Sequence, residues 1–174
     1  TLASRNDLAV AYRSAGRLDE AIALHEQNLA IREALFGPTH PATLGSRNNL
    51  ATAYRSVGRY QEAAALYEQN LRDRIEVLGP NHPSTLRSRN GLAHTYRELS
   101  RNAEAVALYE ENLEARLRIL GPDHPETLRS RNNLARAYRA VSRDAEAVKL
   151  YEETLDARLR TLGPEHPATV RSRS

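Results

Sequence analysis

The sequence predicts an all-α fold, a solenoid of repeated helix pairs, and three observations carry that prediction. The dipeptides Thr1-Leu2, Thr43-Leu44, Thr85-Leu86, Thr127-Leu128 and Thr169-Val170 recur every 42 residues. Inside each copy the apolar residues fall on two stripes of helical spacing instead of alternating with period two. Each copy also closes on Gly-Pro-x-His-Pro, a helix stop followed by a helix start. Self-similarity at this period implies units that bury their apolar sides only against neighbours, so function is sought in surfaces built by several units. The copies are residues 1–42, 43–84, 85–126 and 127–168, with 169–174 as the start of a fifth, and they are read as one continuous array over 1–174.

The first half of a copy, TLASRNDLAVAYRSAG, places Leu2, Leu8, Ala9, Tyr12 and Ala15 on one stripe. This half is helix A, expected to run about 15 residues and to stop near Gly16 and Gly58, with Ser100 and Ser142 in the later copies. The second half repeats Ala21, Leu24, His25 (elsewhere Tyr), Leu29 and Phe36 (elsewhere Leu) as helix B, expected to run about 18 residues. Helix B ends at Gly37, Gly79, Gly121 and Gly163, each followed by Pro. The second proline, Pro41, Pro83, Pro125 or Pro167, suits the first turn of the next helix A, where its missing N–H is not needed.

Composition narrows the function classes. Hydrophobic residues make up 40% of the 174-residue chain and charged residues 27%, with no apolar run of the ~18 residues a membrane span needs. A soluble, cytoplasmic chain is expected, and no signal peptide is visible. The absence of Cys excludes disulfides, thiolate metal sites and a Cys nucleophile. Lys149 is the sole lysine, so 24 of the 25 basic residues are Arg, a bias that genome base composition could also produce. Arg favours planar, bidentate contacts with carboxylates or phosphates. A first residue other than Met suggests a piece of a larger protein.

The order Leu8-Ala9, Tyr12, Gly16, Ala21, Tyr67 (His25 in the first copy) and a Pro after helix B resembles the tetratricopeptide repeat. The longer form here, with RNNLA, LYEQNLRDRIEVLG and GPxHPxT, is similar to the repeats of kinesin light chain and of bacterial tetratricopeptide proteins. The resemblance covers the whole chain and implies a right-handed superhelical solenoid of antiparallel helix pairs. The chain departs from the family pattern in having Arg5, Arg47, Arg89 and Arg131 in helix A where a Trp is common. Asn28, Asn70 and Asn112 replace a small apolar residue of helix B. The residues beyond the ~34 of the common repeat are expected to lengthen helix B and the loop after it.

On a helical wheel, Leu2, Arg5, Leu8, Ala9, Tyr12 and Ala15 share a broad packed side, where Arg5 is expected to be ion-paired or to snorkel. The opposite stripe carries Asn6, Asn48, Asn90 and Asn132, Arg13, Arg55, Arg97 and Arg139, and also Arg87, Arg129, Arg136, His94, Thr52 and Glu98. Its seven Arg and one Glu give +6, whereas the whole chain is +3, so everything outside the stripe sums to −3. In tetratricopeptide superhelices helix A lines a concave groove that holds extended peptides. The resemblance therefore implies an Asn ladder gripping a peptide backbone, since an amide both donates and accepts, and an Arg ladder selecting acidic groups. The opposing expectation is that these Arg residues pair with Glu20, Glu26, Glu62, Glu68 and their equivalents as ordinary surface charge.

His40, His82, His124 and His166 sit one per copy in the GPxHP loops, too far apart to share an ion, so a helix-cap or loop-packing role is expected and no metal site. His25 is expected to be a packed core residue, and His94 to point into the groove. Ser4, Ser46, Ser88 and Ser130 recur without a GxSxG elbow, and no phosphate-binding glycine loop or cofactor motif exists. Every candidate group comes in several copies, whereas a catalytic centre is singular, so no enzyme and no cofactor are expected. The partner is read as a protein or peptide ligand, acidic or extended, with no membrane. Nucleic acid is the less favoured ligand, because the stripe lacks Lys and interleaved exposed aromatics. A structural spacer, or an array that associates end to end or exchanges terminal helices, is the alternative: Leu150, Leu155, Leu159 and Leu162 of the last helix B would otherwise lack cover.

Overall fold

The computed structural model describes residues 2–173, without the side chains of Ala3 and Arg173. Thr1, which opens the first copy, and Ser174 lie outside the described residues. Nine α-helices and no strand occur among the described residues: α1 (Leu2–Ser14), α2 (Leu18–Phe36), α3 (Pro41–Ser56), α4 (Tyr60–Leu78), α5 (Pro83–Glu98), α6 (Asn102–Leu120), α7 (Pro125–Ala140), α8 (Asp144–Leu162) and α9 (Pro167–Arg173). Odd-numbered helices are helix A and even-numbered ones helix B. A complete helix A spans 16 residues and helix B 19, each one longer than expected from the sequence. The chain forms two compact units, one through Leu99 with α1–α5 and one from Ser100 with α6–α9, and within each unit every helix packs on the one before it.

Small and large apolar residues alternate through the packing. Ala9, Ala51, Ala93 and Ala135 are fully buried at one helix A position, and Ala21, Ala63, Ala105 and Ala147 at one helix B position, which lets backbones approach closely. Ile22 and Leu29 of α2 meet Leu50 and Ala53 of α3, with Tyr54, Val57 and Leu66 closing around them. Each fully buried Leu or Ile contributes about 1.5–3 kcal/mol.

Backbone carbonyls and serine hydroxyls inside this packing are met by a repeated device. An Arg near the end of each helix B reaches the first turn of the following helix A. Arg32 Nη1 donates to the Ala42 carbonyl at 3.0 Å and to Ser46 Oγ at 2.8 Å. Arg74 Nη1 donates to the Ser84 carbonyl and Ser88 Oγ at 2.6 and 2.8 Å, and its Nη2 reaches back to the Leu44 carbonyl at 3.1 Å. In the second unit Arg116 donates to the Glu126 carbonyl and Ser130 Oγ, and Arg158 to the Ala168 carbonyl and Ser172 Oγ. The first Thr of helix A answers: Thr43, Thr85 and Thr127 donate to the carbonyls of Arg32, Arg74 and Arg116. Burial, and then the charge of Arg87, pulls the Arg74 guanidinium down to about 10, which still leaves it charged at neutral pH. Ser46, Ser88 and Ser130 are thus acceptors for Arg, and buried Asn70 donates to Ser88 Oγ at 3.1 Å.

Arg5, expected to lie on the packed side of helix A, is exposed, while its equivalents in the later copies are buried. Arg47 is almost fully buried between the carboxylates of Glu33 and Asp73 and the Pro38 carbonyl. Arg89 and Arg131 are buried likewise and reach the carbonyls of Pro80 and Pro122, whereas Arg5 is exposed on α1.

Caps set the helix boundaries. His40, His82, His124 and His166 occupy the N-cap position, where Nδ1 accepts the N–H two residues on at 3.1–3.2 Å. The expected capping role of the loop histidines is therefore observed. Helix A ends in a left-handed residue, Gly16 and Gly58 at φ 75° and 80°, but Ser100 and Ser142 at 59°. Serine there has a Cβ crowding the carbonyl, which glycine avoids.

Two outcomes follow from this packing. Arg74→Leu removes the bonds to the Ser84 and Leu44 carbonyls and to Ser88 Oγ and is expected to cost about 3 kcal/mol, while the exposed Arg72→Leu changes stability by under about 0.5 kcal/mol, both read from urea denaturation midpoints. Ser142→Gly is expected to raise stability by about 0.5–1 kcal/mol and Gly58→Ser to lower it by a similar amount, with unchanged denaturant slope.

Candidate binding clefts

Helix A is packed on both flanks, which leaves a narrow accessible strip. Arg87 and Arg129, two residues past the opening Thr, are exposed, while Asn48, Asn90 and Asn132 are half-buried. Arg13 and Arg139 are exposed, and Arg55 and Arg97 half-buried. The asparagines take part in the packing: Asn6 Oδ1 accepts from Asn49 Nδ2 at 3.1 Å, and Asn48 Oδ1 accepts from Ser88 Oγ at 3.2 Å. For Asn6 and Asn48, then, the amide oxygen serves the chain itself. Arg97 is paired with Glu98 at 2.9 Å, and Arg129 lies 3.4 Å from Glu126.

The acids invoked to neutralise this strip are engaged elsewhere. Arg17, Arg59, Arg101 and Arg143, each just before helix B, hold Glu20, Glu62, Glu104 and Glu146 three residues on. Tyr54, Tyr96 and Tyr138 donate their hydroxyls to Glu26, Glu68 and Glu110 at 2.6–2.8 Å. The guanidiniums of Arg59 and Arg143 lie 4.0 Å over the rings of Tyr54 and Tyr138. Burial and the hydrogen bond to Glu110 push the Tyr138 phenol up to about 12, so it stays a donor at neutral pH. Among the described residues no acid lies within ion-pair distance of Arg13, Arg55, Arg136 or Arg139.

Two clefts open at the same register, one in each unit. In the first, Asn6, Val10 and Arg13 of α1, His25 of α2, and Asn49 and Thr52 of α3 surround about 190 Å³. In the second, Asn132, Arg136 and Arg139 of α7, Tyr151 and Arg158 of α8, and Arg171 and Ser172 of α9 surround about 610 Å³. Where the equivalent of His25 and Tyr151 is Tyr67, the ring fills this space. Tyr67 is buried, its hydroxyl lies 2.8 Å from Thr52 Oγ1, and its ring stands where a Cβ on Gly91 would be.

His25 is buried as expected. Burial, and then the charge of Arg13, holds its pKa below the ordinary imidazole range, so it faces the first cleft as a neutral ring. His94 is half-buried beside Glu98 at 3.5 Å. Burial and the charges of Arg55 and Arg97 outweigh that carboxylate and lower its pKa too.

Of the residues singled out from the sequence, the structure brings Asn6 and Arg13 together in one cleft and Asn132, Arg136 and Arg139 in the other. Arg55, Arg97, Arg87, Arg129, Asn48 and Asn90 line neither cleft. Arg158, Arg171 and Tyr151 were not anticipated. Arg171 stands one repeat after Arg129 and could have been found by register, whereas Arg158 belongs to a helix B series whose direction the sequence does not reveal.

Comparison with known proteins gives the same architecture. The tetratricopeptide repeat family profile matches residues 1–74, 46–116 and 90–160. A crystal structure from Podosopora anserina, described as a kinesin light chain with nearly identical TPR-like repeats, is 37% identical over 99% of this chain and 82% of that one, with a TM-score of 0.91. A substituted form of that same protein superposes with a TM-score of 0.92 at the same identity, covering 81% of that chain. BtubC (BKLC) from P. vanneervenii shares the fold at 20% identity, with a TM-score of 0.84 over 95% of this chain and 66% of the other. No curated protein matches. Among the described residues no helix is long and apolar enough to cross a membrane. The profile match across successive copies, together with the helix pairs seen in both units, places this chain in the tetratricopeptide repeat family.

Proposed function

We propose that the chain is a non-catalytic scaffold that binds acidic or extended protein segments through its helix A strip. In this reading the Asn6, Asn48, Asn90 and Asn132 amides hold ligand backbone. Arg13, Arg55, Arg97 and Arg139, with Arg87, Arg129 and Arg136, select acidic side chains. The observation that carries it is the engagement of Glu20, Glu62, Glu104 and Glu146 by neighbouring arginines and of Glu26, Glu68 and Glu110 by tyrosines, which keeps these acids from the strip. Cationic clefts without carboxylates draw anionic ligands in by focused potential, and salt weakens such binding. For Asn6 and Asn48 the ligand contact falls to the amide N–H groups, because the oxygens are occupied. The likeness to kinesin light chain repeats supports one array over 1–174 working as a module of a larger cytoplasmic protein.

A second reading, end-to-end association of copies, is favoured by two faces. Leu8 of α1 is 43% exposed, whereas Leu50, Leu92 and Leu134 at the same register are 3–4% exposed. Val148 of α8 is 53% exposed, whereas Ile22, Ala64 and Val106 are 4–6% exposed. By register these are opposite halves of one inter-repeat interface, so a second copy can cover them.

Fluorescence anisotropy with a labelled Glu-rich peptide and its Gln counterpart tests the first reading. The Arg13→Ala/Arg55→Ala/Arg97→Ala variant is expected to melt like the parent and to lose at least about tenfold in affinity for the Glu peptide alone. Equal affinity in the variant removes the strip as a binding surface. For the second reading, light scattering over a concentration series is expected to show mass rising with concentration and a Leu8→Glu/Val148→Glu variant remaining monomeric; a parent chain that stays monomeric throughout rejects it.

A further inference from the structure

The outer face of helix B carries large apolar side chains near its C-terminal end, and it does so on interior helices. Ile75 and Val77 of α4 and Leu117 and Ile119 of α6 are 37–50% exposed. Helix pairs precede and follow both helices along the chain, so this is not the bare face of a terminal repeat. Beside these residues stand Arg72 and Glu76 on α4, and Glu114 and Arg118 at the same registers on α6, with both signs reversed. We propose that this face joins two copies of the chain side by side, α4 of one copy against α6 of the other. The inference goes beyond both readings given above, since it uses neither the helix A strip nor the end faces.

The reversed signs select the partner and its direction. When α4 runs parallel to α6 of the second copy, equal registers meet: Arg72 with Glu114, Ile75 with Leu117, Glu76 with Arg118 and Val77 with Ile119. Turning one helix around sets Arg72 against Arg118 and Glu76 against Glu114, like charge against like. Two copies of α4 laid antiparallel also match Arg72 with Glu76. Ile75 then falls opposite Asp73, which is engaged by Arg47, and Val77 falls opposite buried Leu71. Only the parallel pairing of α4 with α6 matches the charges and the apolar side chains together. Each copy carries both halves, the condition for a self-complementary contact.

The charges on this face are available. Arg72, Glu76 and Glu114 make no ion pair or hydrogen bond among the described residues, even though Arg72 and Glu76 stand an i,i+4 step apart. Arg118 has a contact within its own chain, so the open charges are the two on α4 and the carboxylate on α6. Exposed ion pairs add little affinity; here they set register, and burial of the apolar side chains supplies the attraction. Ala65 and Ala107, exposed two turns before Arg72 and Glu114, let the helix axes approach closely.

The test is sedimentation velocity of the whole chain from about 5 to about 500 µM at about 0.15 M salt. The parent is expected to pass from single chains to a larger species over that range. The variants Arg72→Glu/Glu76→Arg and Glu114→Arg/Arg118→Glu, changed only at exposed positions and expected to melt like the parent, are each expected to weaken association at least about tenfold. Uniting all four substitutions in one chain, or mixing the two variants in equal amounts, is expected to restore it, which a damaged fold would not allow. A parent that stays monomeric throughout, unchanged association in either variant, or no restoration overturns the proposal. The Leu8→Glu/Val148→Glu chain separates this contact from end-to-end association: side-by-side copies still associate there, and a monomeric Leu8→Glu/Val148→Glu chain also overturns the proposal. Acidic-peptide binding is read independently, so this idea and that of the strip can fail separately.

Discussion

A guanidinium near the end of each helix B, buried or half-buried and bonded to the first turn of the next helix A, is the interaction on which the rest of this structure depends. A helix start presents N–H groups to its cap and carbonyls to its first turn, and here that turn is buried against a neighbour. One planar side chain meets both a carbonyl and a serine hydroxyl there, and in Arg74 also a carbonyl of the preceding helix A. Lysine, a single flexible point charge, cannot hold three acceptors in fixed directions. The interaction fixes the angle and register between one pair and the next, and so decides which helix A positions remain accessible.

Seen this way, the arginine richness divides by task. One set, Arg32, Arg74, Arg116 and Arg158, joins helix B to helix A; another, Arg47, Arg89 and Arg131, is buried against loop carbonyls. Arg17, Arg59 and Arg143 cover tyrosine rings and hold the acids that begin helix B. Of the helix A arginines outside these sets, Arg13, Arg55, Arg136 and Arg139 have no acid within ion-pair distance among the described residues. A cationic surface results without a large net charge, because the acids are spent on internal pairs. Arg158 belongs to both groups, since it joins α8 to α9 and also lines the larger cleft.

The clefts illustrate how a periodic scaffold acquires local chemistry. The same register gives a filled space at Tyr67, a small cleft with one guanidinium at His25 and a larger one with four at Tyr151. Between the first two the helix pairs are alike and the side chain at one register differs, whereas the third is bordered by α9, described over seven residues where α3 and α5 run 16.

By itself the sequence determined the helix pairs, their boundaries and the family. The Gly-Pro-x-His-Pro loops, the prolines at the first turn of helix A and the apolar stripes are local signals, and local backbone geometry obeys them. The capping histidines and buried His25 were legible for the same reason, since a wheel or a loop position already places them, whereas Arg5, placed on the packed side by the same wheel, is exposed. Which of the outward arginines share a cleft was decided by tertiary structure alone. A wheel drawn for one helix has a single packed side, but helix A here is flanked by two neighbours, so Asn48 serves Ser88 and Ser46 serves Arg32. The cleft of Arg136, Arg139, Arg158 and Arg171 draws on three helices, and no spacing along one helix can show such a meeting.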